Sequence, residues 1–281
     1  FADMFLYGAS PLLFEGKLYV PLLQRNPPTY GHATDAMPER KSWLICLEPQ
    51  TGKVLWAQER KTDALEEAME AYTTPLPCPG PSGPQIVLAG ADCVTAHQPD
   101  TGEELWRYPG LNRKKNPGGR IVPSPVAAAG LIFACGPKRE MLAAIRGGSG
   151  VLSSNHLVWK TEQFIPDVST PLVYQGKLFV LDGDRQVMTC YQPETGRQLW
   201  QGRLGIREIF YASPTGADGK IYCLSEEGTV VVLSAGDQFE VLSTTPFGEG
   251  PCRSSIVVSE GRFYIRTASH LYCLREGGGA E

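Results

Sequence analysis

Short apolar segments alternate with turn-forming residues along almost the whole chain. Each segment is only a few residues long and rich in β-branched or aromatic side chains, as in Leu18 to Val20 and Ile221 to Cys223. Apolar runs this short, bounded by glycine, proline and aspartate, are typical of β-strands rather than of helices. The pattern therefore predicts an all-β protein of short antiparallel strands joined by tight turns.

The most regular feature is the motif Pro-x-Thr-Gly-x-x-Leu-Trp, which occurs at residues 49–56, 99–106 and 193–200. Proline presets φ for a tight turn, and glycine accepts the positive φ that such a turn needs. The glycines are Gly52, Gly102 and Gly196. The leucine and tryptophan that follow are the large apolar groups available for packing. Each copy therefore predicts two strands joined by a turn.

Around this motif a longer unit recurs six times. It begins with serine or threonine, and continues with a short strand, usually a glycine-containing turn, and an apolar second strand. The opening residues are Ser10, Thr74, Ser124, Thr170, Ser213 and Ser255. Third and fourth strands flank the proline-glycine turn where it survives. Repeats of roughly 40–50 residues with four strands, A to D, are typical of β-propeller blades.

The predicted fold is therefore a single all-β propeller domain over residues 1–281, made of four-stranded antiparallel blades. The blades are expected at about residues 9–60, 73–110, 123–162, 169–204, 212–243 and 254–276. The last repeat shows only three strand segments before Gly277 to Gly279. Phe1 to Tyr7 align with Ile206 to Tyr211, the link into an A strand, so we do not expect them to supply the fourth strand.

Composition limits the classes of partner. The net charge of −4 gives no reason to expect a nucleic acid or an anionic membrane, and no apolar run reaches the roughly 18 residues of a spanning helix. The eight cysteines include no Cys-x-x-Cys and no adjacent pair. Small buried filler therefore fits them better than a metal site or a disulfide framework. Cys78 and Cys93 share one repeat, and whether they pair stays open.

The extra length of the chain lies in three insertions, at residues 24–42, 58–72 and 107–122. The first connects strands B and C, and the other two connect a D strand to the next A strand. Because both kinds of connection leave a blade at the same edge, we expect the insertions on one side, where repeat proteins often bind partners. The candidate partner-binding residues there are Tyr30, His32, Arg40, Arg113, Lys114, Lys115 and Arg120.

The charges of the insertions allow two interpretations. The basic residues of 107–122 could hold an acidic partner or a phosphate group. Alternatively, the acidic segment from Asp63 to Glu70 neutralises them, with little effect on stability. Asp63 and Glu66 also match a capping box, which predicts a short helix over residues 63–71.

The sequence contains no arrangement typical of catalysis: Gly-x-Ser-x-Gly, His-Glu-x-x-His and a phosphate-binding glycine loop are absent. Asp182 and Asp184 could contribute to a Ca²⁺ site, but the oxygen ligands of a full site are missing and a turn role fits better. The hydroxyl that opens each repeat could line a channel, whereas a hydrogen bond to local backbone is the favoured alternative. We therefore expect no catalytic, cofactor-binding or metal-binding residue.

The three intact motifs, with Ser/Thr-Pro opening most repeats, resemble the tryptophan-docking repeats of the pyrroloquinoline quinone (PQQ)-like β-propellers. That superfamily includes the quinoprotein alcohol dehydrogenases and the outer-membrane assembly lipoprotein BamB. The resemblance implies that Trp56, Trp106, Trp159 and Trp200 dock between neighbouring blades. It also implies a ring of eight blades, of which this chain would hold the last six, and a periplasmic or secreted location.

Two functions are compatible with the resemblance. The first is a non-catalytic extracytoplasmic scaffold that binds a protein or polymer partner through its long loops and needs no cofactor. The alternative is a PQQ-dependent oxidoreductase for alcohols or sugars, completed by further blades. Quinoprotein enzymes of the superfamily carry an adjacent cysteine pair and Glu, Asn and Asp residues around Ca²⁺, and this sequence matches none of them. The scaffold is therefore the first hypothesis, with the partner and oligomeric state open.

Reconstitution with PQQ and Ca²⁺ separates the two functions. Because the vicinal cysteines and the metal ligands have no counterparts in the sequence, we expect no dye-linked oxidation of alcohols or aldose sugars and no change in quinone absorbance. Oxidation of either substrate class would support the dehydrogenase. The assay decides the question only on a chain that carries a complete ring of blades.

Overall fold

The computed structural model describes residues 8–26 and 40–275. In these residues β-strands predominate, and the helices are short 3-10 turns at Glu66–Met69, Pro137–Arg139 and Ser154–His156. The chain divides into two compact units, residues 1–162 and 163–281. Each contains three sheets, one for each predicted repeat, so the predicted all-β fold of antiparallel blades is confirmed. The prediction of a single domain stays a prediction.

The first unit holds blades 1 to 3, and the strands of each blade pair antiparallel in chain order. Blade 1 consists of β1 (Leu12–Phe14), β2 (Lys17–Leu22), β3 (Trp43–Leu47) and β4 (Val54–Glu59). Blade 2 consists of β5 (Leu76–Gly80), β6 (Gly83–Gly90), β7 (Cys93–His97) and β8 (Glu104–Tyr108). Blade 3 consists of β9 (Val126–Ala128), β10 (Leu131–Cys135), β11 (Leu142–Ile145) and, after the short β12 (Gly150–Val151), β13 (Leu157–Thr161). Strand β12 pairs in parallel with β8 and so extends the sheet of blade 2.

The second unit holds blades 4 to 6. Blade 4 consists of β14 (Leu172–Tyr174), β15 (Lys177–Asp182), β16 (Val187–Tyr191) and β17 (Gln198–Arg203). Blade 5 consists of β18 (Thr215–Ala217), β19 (Lys220–Leu224), β20 (Thr229–Ser234) and β21 (Val241–Pro246). Blade 6 has three strands among the described residues: β22 (Val257–Ser259), β23 (Arg262–Arg266) and β24 (Leu271–Arg275).

The turn between strands C and D has the same geometry in the three intact motifs. The glycine of each motif has a φ of 72, 78 and 70° at Gly52, Gly102 and Gly196. Its N–H donates to a carbonyl four residues earlier, at 2.9 Å in every case. At Gly102 a second constraint applies, because a Cβ atom there would lie 2.5 Å from the Trp56 ring. Glycine is therefore required both by the turn and by the blade before it.

A small side chain faces the tryptophan of strand D across each of these sheets. Cys46 pairs with Trp56 and Cys190 pairs with Trp200, while Ala96 takes this place in blade 2. All eight cysteines are free thiols, and all except Cys273 are buried. Burial raises the pKa of the Cys190 thiol to about 12. Cys46 and Cys190 therefore act as small apolar filler opposite the indole rings.

Two tryptophans also bond the blade that follows. The indole N–H of Trp56 donates to the Pro99 carbonyl at 3.1 Å, and that of Trp200 donates to the Gly236 carbonyl at 3.1 Å. Both acceptors lie in the C–D turn of the next blade. Each of these indoles thus joins two blades through a turn, and the Pro99 carbonyl also accepts the Tyr19 hydroxyl at 3.2 Å.

The other two tryptophans of this position have contacts in their own blade, and the Trp106 indole also lies next to Gly147 of blade 3. Trp106 donates its indole N–H to Gln85 Oε1 at 2.9 Å. Trp159 packs on Phe133, with ring centroids 5.6 Å apart. The four equivalent indoles thus use different partners.

The hydroxyl groups that open the repeats bond to neighbouring blades. Ser124 Oγ accepts the Thr74 backbone N–H at 2.9 Å, Ser213 Oγ accepts that of Thr170 at 2.9 Å, and Ser255 Oγ accepts that of Ser213 at 3.1 Å. The favoured bond to local backbone is wrong for Ser213 and Ser255, whose hydroxyl oxygens accept from the blade before. The reason is that the opening residues of adjacent blades lie within hydrogen-bond distance of each other.

Replacing Trp200 should destabilise the second unit strongly. Trp200 is 7% exposed, and its ring lies against Phe179 and Phe239, with centroids 5.7 and 5.6 Å away. We expect Trp200→Ala to lower the free energy of unfolding by about 3–5 kcal/mol, as for other buried aromatic residues, measured by urea denaturation. Trp56→Ala is the matched control, because Trp56 is only half-buried and should cost less. A loss for Trp200→Ala no larger than that of the control would contradict the packing role.

Candidate partner-binding surface

Two of the three insertions, residues 58–72 and 107–122, pack against each other in the first unit. Ala71 and Ile121 form a parallel bridge, and the Tyr72 N–H donates to the Ile121 carbonyl at 3.1 Å. The Ala68 N–H donates to the Pro117 carbonyl at 2.8 Å. We call these two segments the loop layer. The prediction that insertions share one side of the blades is confirmed for this pair.

The third insertion, residues 24–42, is described only at its ends. Tyr30 and His32 lie outside the described residues, and Arg40 is half-buried. The described part nevertheless reaches the loop layer, because Arg25 Nε donates to Glu70 Oε1 at 2.8 Å. Their side chains are only 6 and 4% exposed, so this is a buried ion pair. It fastens the start of the insertion to the layer.

Most of the basic candidates are paired inside the protein. Arg113 contacts Glu162 at 2.7 Å and Glu140 at 3.5 Å. Lys115 contacts Asp63 at 3.1 Å, and Arg120 contacts Glu67. The contacts of Lys115 and Arg120 favour the interpretation in which the acidic and basic segments neutralise each other. Arg113 instead pairs with two carboxylates of blade 3, outside the acidic segment.

The Lys115–Asp63 contact shifts the pKa values of both groups. The hydrogen bond from Lys115 lowers the pKa of the Asp63 carboxyl, and the same bond raises the pKa of the Lys115 amine. Both side chains are largely exposed, so solvent screens the pair and its effect on stability is small.

Lys61, Leu65, Glu66 and Lys114 are exposed members of the layer. The two lysines and Glu66 make no ion pair with the described residues. Leu65 is 67% exposed. The layer therefore presents unpaired charges of both signs and one large apolar group rather than a basic cluster.

The predicted helix over residues 63–71 is shorter than expected. Only Glu66–Met69 are helical, in a single 3-10 turn that begins after Leu65 and has no side-chain cap. The Asp63 carboxylate bonds Lys115 instead of the helix N-terminus. The capping-box prediction is therefore wrong, because an ion pair across the layer takes the carboxylate that the cap would use.

Sequence reasoning missed Arg60, the buried residue that joins the layer to blade 2. Its side chain is fully enclosed, with Nε donating to Thr95 Oγ1 and Nη2 to the Cys93 carbonyl, both at 2.9 Å. Burial is the main cause that lowers the pKa of this guanidinium. Another Nη atom of Arg60 is buried without a hydrogen bond to the described residues. The only sequence signal was an arginine directly after a D strand.

Asp182 has the turn role that the sequence favoured. One carboxylate oxygen accepts the Arg185 backbone N–H at 3.2 Å, and the other accepts from the Arg185 guanidinium at 3.1 Å. In the described part of the chain, no group of three or more His, Cys, Asp and Glu side chains could hold a metal ion. The expectation that no cofactor binds stays a prediction. None of the helices in the described ranges has the length and apolar character of a membrane span.

A cavity of about 630 Å³ opens at the other edge of the first unit, beside the A–B turns of blades 2 and 3. Its lining includes Cys78, Gln85, Ala127, Gly130 and Arg146. Sequence reasoning did not find it, because short turns in consecutive repeats give no sign of the space between them.

Comparison with known families gives one consistent result. The model of the PQQ_2 family, described as outer membrane protein assembly factor BamB, matches residues 23–151, 91–208, 148–238 and 185–277. These overlapping matches cover most of the chain. A search of curated proteins found no match.

Solved structures resemble the chain in fold. A quinohemoprotein alcohol dehydrogenase from Comamonas testosteroni is 10% identical, with a TM-score of 0.62, over 92% of this chain and 51% of that one. The computationally designed protein Ika8 is also 10% identical, with a TM-score of 0.64, over 92% and 67%. BamB from Moraxella catarrhalis is 15% identical over 82% and 77%, with a TM-score of 0.46. The chain thus spans about half the length of the dehydrogenase, and the likenesses to the dehydrogenase and to Ika8 show the fold alone.

Breaking the buried ion pair should loosen the loop layer. In Glu70→Gln, Arg25 keeps its charge but loses its carboxylate, so we expect a loss of about 3 kcal/mol in the free energy of unfolding. Hydrogen exchange at the Tyr72 amide, which bonds Ile121, should speed up as well. The matched control is Glu66→Gln at an exposed position of the same segment, where we expect a change within about 0.5 kcal/mol. Equal effects of both substitutions would show that the buried pair does not anchor the layer.

Proposed function

This chain belongs to the family described as outer membrane protein assembly factor BamB, and we propose that it is a non-catalytic, extracytoplasmic propeller that binds a protein partner. The observation that carries the proposal is the loop layer, in which two insertions from different blades form one ordered surface. Loops that a rigid scaffold holds in place are the usual binding elements of repeat proteins. A periplasmic or secreted location and a partner from the outer-membrane assembly machinery are part of this proposal.

The charges of the layer support binding rather than catalysis. Arg113, Lys115 and Arg120 each contact a carboxylate, so these groups stabilise the surface instead of acting on a substrate. A partner would meet the exposed apolar side chain of Leu65 and exposed lysines such as Lys114. Such a combination suits a protein surface with an apolar pocket and a nearby acidic residue.

Site-specific photo-crosslinking tests which edge of the blades binds the partner. A benzophenone amino acid replaces Leu65 or Lys114 in cells that produce the protein, and Lys53, exposed in the C–D turn of blade 1, is the control position at the opposite edge. We expect the same adduct from both layer positions and none from position 53. Mass spectrometry of the adduct then identifies the partner.

A charge reversal shows whether the contact is electrostatic. With the crosslinker at position 65, Lys114→Glu should lower the adduct yield several-fold because association slows, and added salt should reduce the difference. Lys53→Glu makes the same charge change away from the layer and should leave the yield unchanged. Adducts from position 53 alone, or none from the layer, would refute the proposed surface.

A further inference from the structure

The cavity of about 630 Å³ between the A–B turns of blades 2 and 3 has a filled counterpart in the second unit. There Tyr174, at the end of strand β14, lies against the A–B turn of blade 5. Its ring is so close to Gly216 that a Cβ atom at that residue would lie 2.6 Å from the ring. Its hydroxyl oxygen accepts the Gly219 backbone N–H at 2.9 Å. A phenol side chain therefore closes the space between two consecutive A–B turns.

The strand registers show what replaces this phenol in blade 2. The C-strand residue that faces the D-strand tryptophan is Ala96 in blade 2 and Cys190 in blade 4. When the two sheets are aligned on these residues, the pairing registers place Cys78 of blade 2 at the position of Tyr174 in blade 4. A small thiol thus stands where the phenol ring stands in the other unit, and the space around it is open.

The hydrogen-bond donor that a phenol needs is still present. Gly130 of blade 3 corresponds to Gly219 of blade 5, and the two have similar φ values of 70 and 65°. The Gly130 N–H has no acceptor among the described residues. Ala127 corresponds to Gly216, so its methyl group takes space that the Tyr174 ring uses in the other unit. A ring in the cavity can keep the polar contact but would lie farther from the A strand of blade 3.

The walls of the cavity are fixed before any ligand enters. Gln85 is buried, and its amide group is held by the Trp106 indole at 2.9 Å and by the Pro79 carbonyl at 3.3 Å. Arg146 is the charged residue of the lining, and it is exposed and makes no ion pair with the described residues. A cavity of this volume lies in the range of small-molecule sites, and its free charge favours an anion.

We propose that this cavity binds a small phenolic carboxylic acid, with the phenol oxygen at the Gly130 N–H and the carboxylate toward Arg146. The ring would occupy the space that Cys78 leaves open. This site is separate from the loop layer and does not depend on the proposed partner.

Calorimetric titration of the whole chain with 4-hydroxycinnamate tests the proposal. We expect saturable binding at one site. Cinnamate lacks the hydroxyl, and 4-ethylphenol lacks the carboxylate, so each should bind several-fold to about tenfold more weakly, the loss expected for one hydrogen bond or one exposed charge contact. Absence of saturable binding, or equal binding of cinnamate and 4-hydroxycinnamate, would overturn the proposal.

Two substitutions locate the bound molecule. Cys78→Tyr places a phenol ring in the cavity and should abolish binding, and its melting temperature shows whether the variant is folded. Arg146→Gln should weaken binding of 4-hydroxycinnamate but leave that of 4-ethylphenol unchanged. Cys190→Ala, a buried thiol replacement outside the cavity, is the control and should bind normally. Unchanged binding by Arg146→Gln, or by a folded Cys78→Tyr, would refute the site, and Arg146→Gln decides alone if Cys78→Tyr does not fold.

Discussion

Neighbouring blades are held together by side chains that complete the backbone hydrogen bonding of the adjacent blade. In the first unit the Trp56 indole N–H donates to the Pro99 carbonyl, and in the second the Ser213 hydroxyl oxygen accepts the Thr170 backbone N–H. A buried carbonyl or amide without a partner costs about 1–3 kcal/mol. Each blade is therefore incomplete by itself, and stacking satisfies polar groups as well as burying apolar surface. This constraint fixes the spacing of the blades, and it leaves their edge connections free to vary.

The loop layer is built from edge connections of this variable kind. Its segments leave blades 1 and 2 at one edge and then pair through main-chain bonds and ion pairs. Exposed ion pairs contribute little to stability, so the layer needs stronger attachments. The buried Arg60 bonds to blade 2 and the buried Arg25–Glu70 pair supply them. Exposed residues such as Lys114 can therefore change without loss of the surface that presents them.

The blades could be predicted from the sequence because their turns, strands and facing pairs depend on residues close together in a motif that repeats. The positive φ of Gly102 and the small residue opposite each tryptophan belong to this class. The partners of Asp63 and of Ser124 could not be predicted in the same way. A carboxylate in a loop has several possible donors, and the distance between loops decides which one it meets. Asp63 meets Lys115 from another insertion, and Ser124 meets Thr74 from another blade.

The long insertions and the cavity lie in the first unit, and they leave the turn contacts of its blades intact. The turn bond at Gly102 is the same as that at Gly196, at 2.9 Å in both, although the connections around blade 2 are long and its A–B turn borders a cavity. Blade 4 keeps short connections, and Tyr174 fills the space beside its A–B turn. A substitution such as thiol for phenol at Cys78 removes packing at an edge, where solvent or a ligand can replace it, and leaves the sheet register unchanged. The same loss beneath Trp200 would leave an enclosed void, which costs more. Binding surfaces can therefore arise at both edges of blades 1 to 3 with little effect on the stability of the fold.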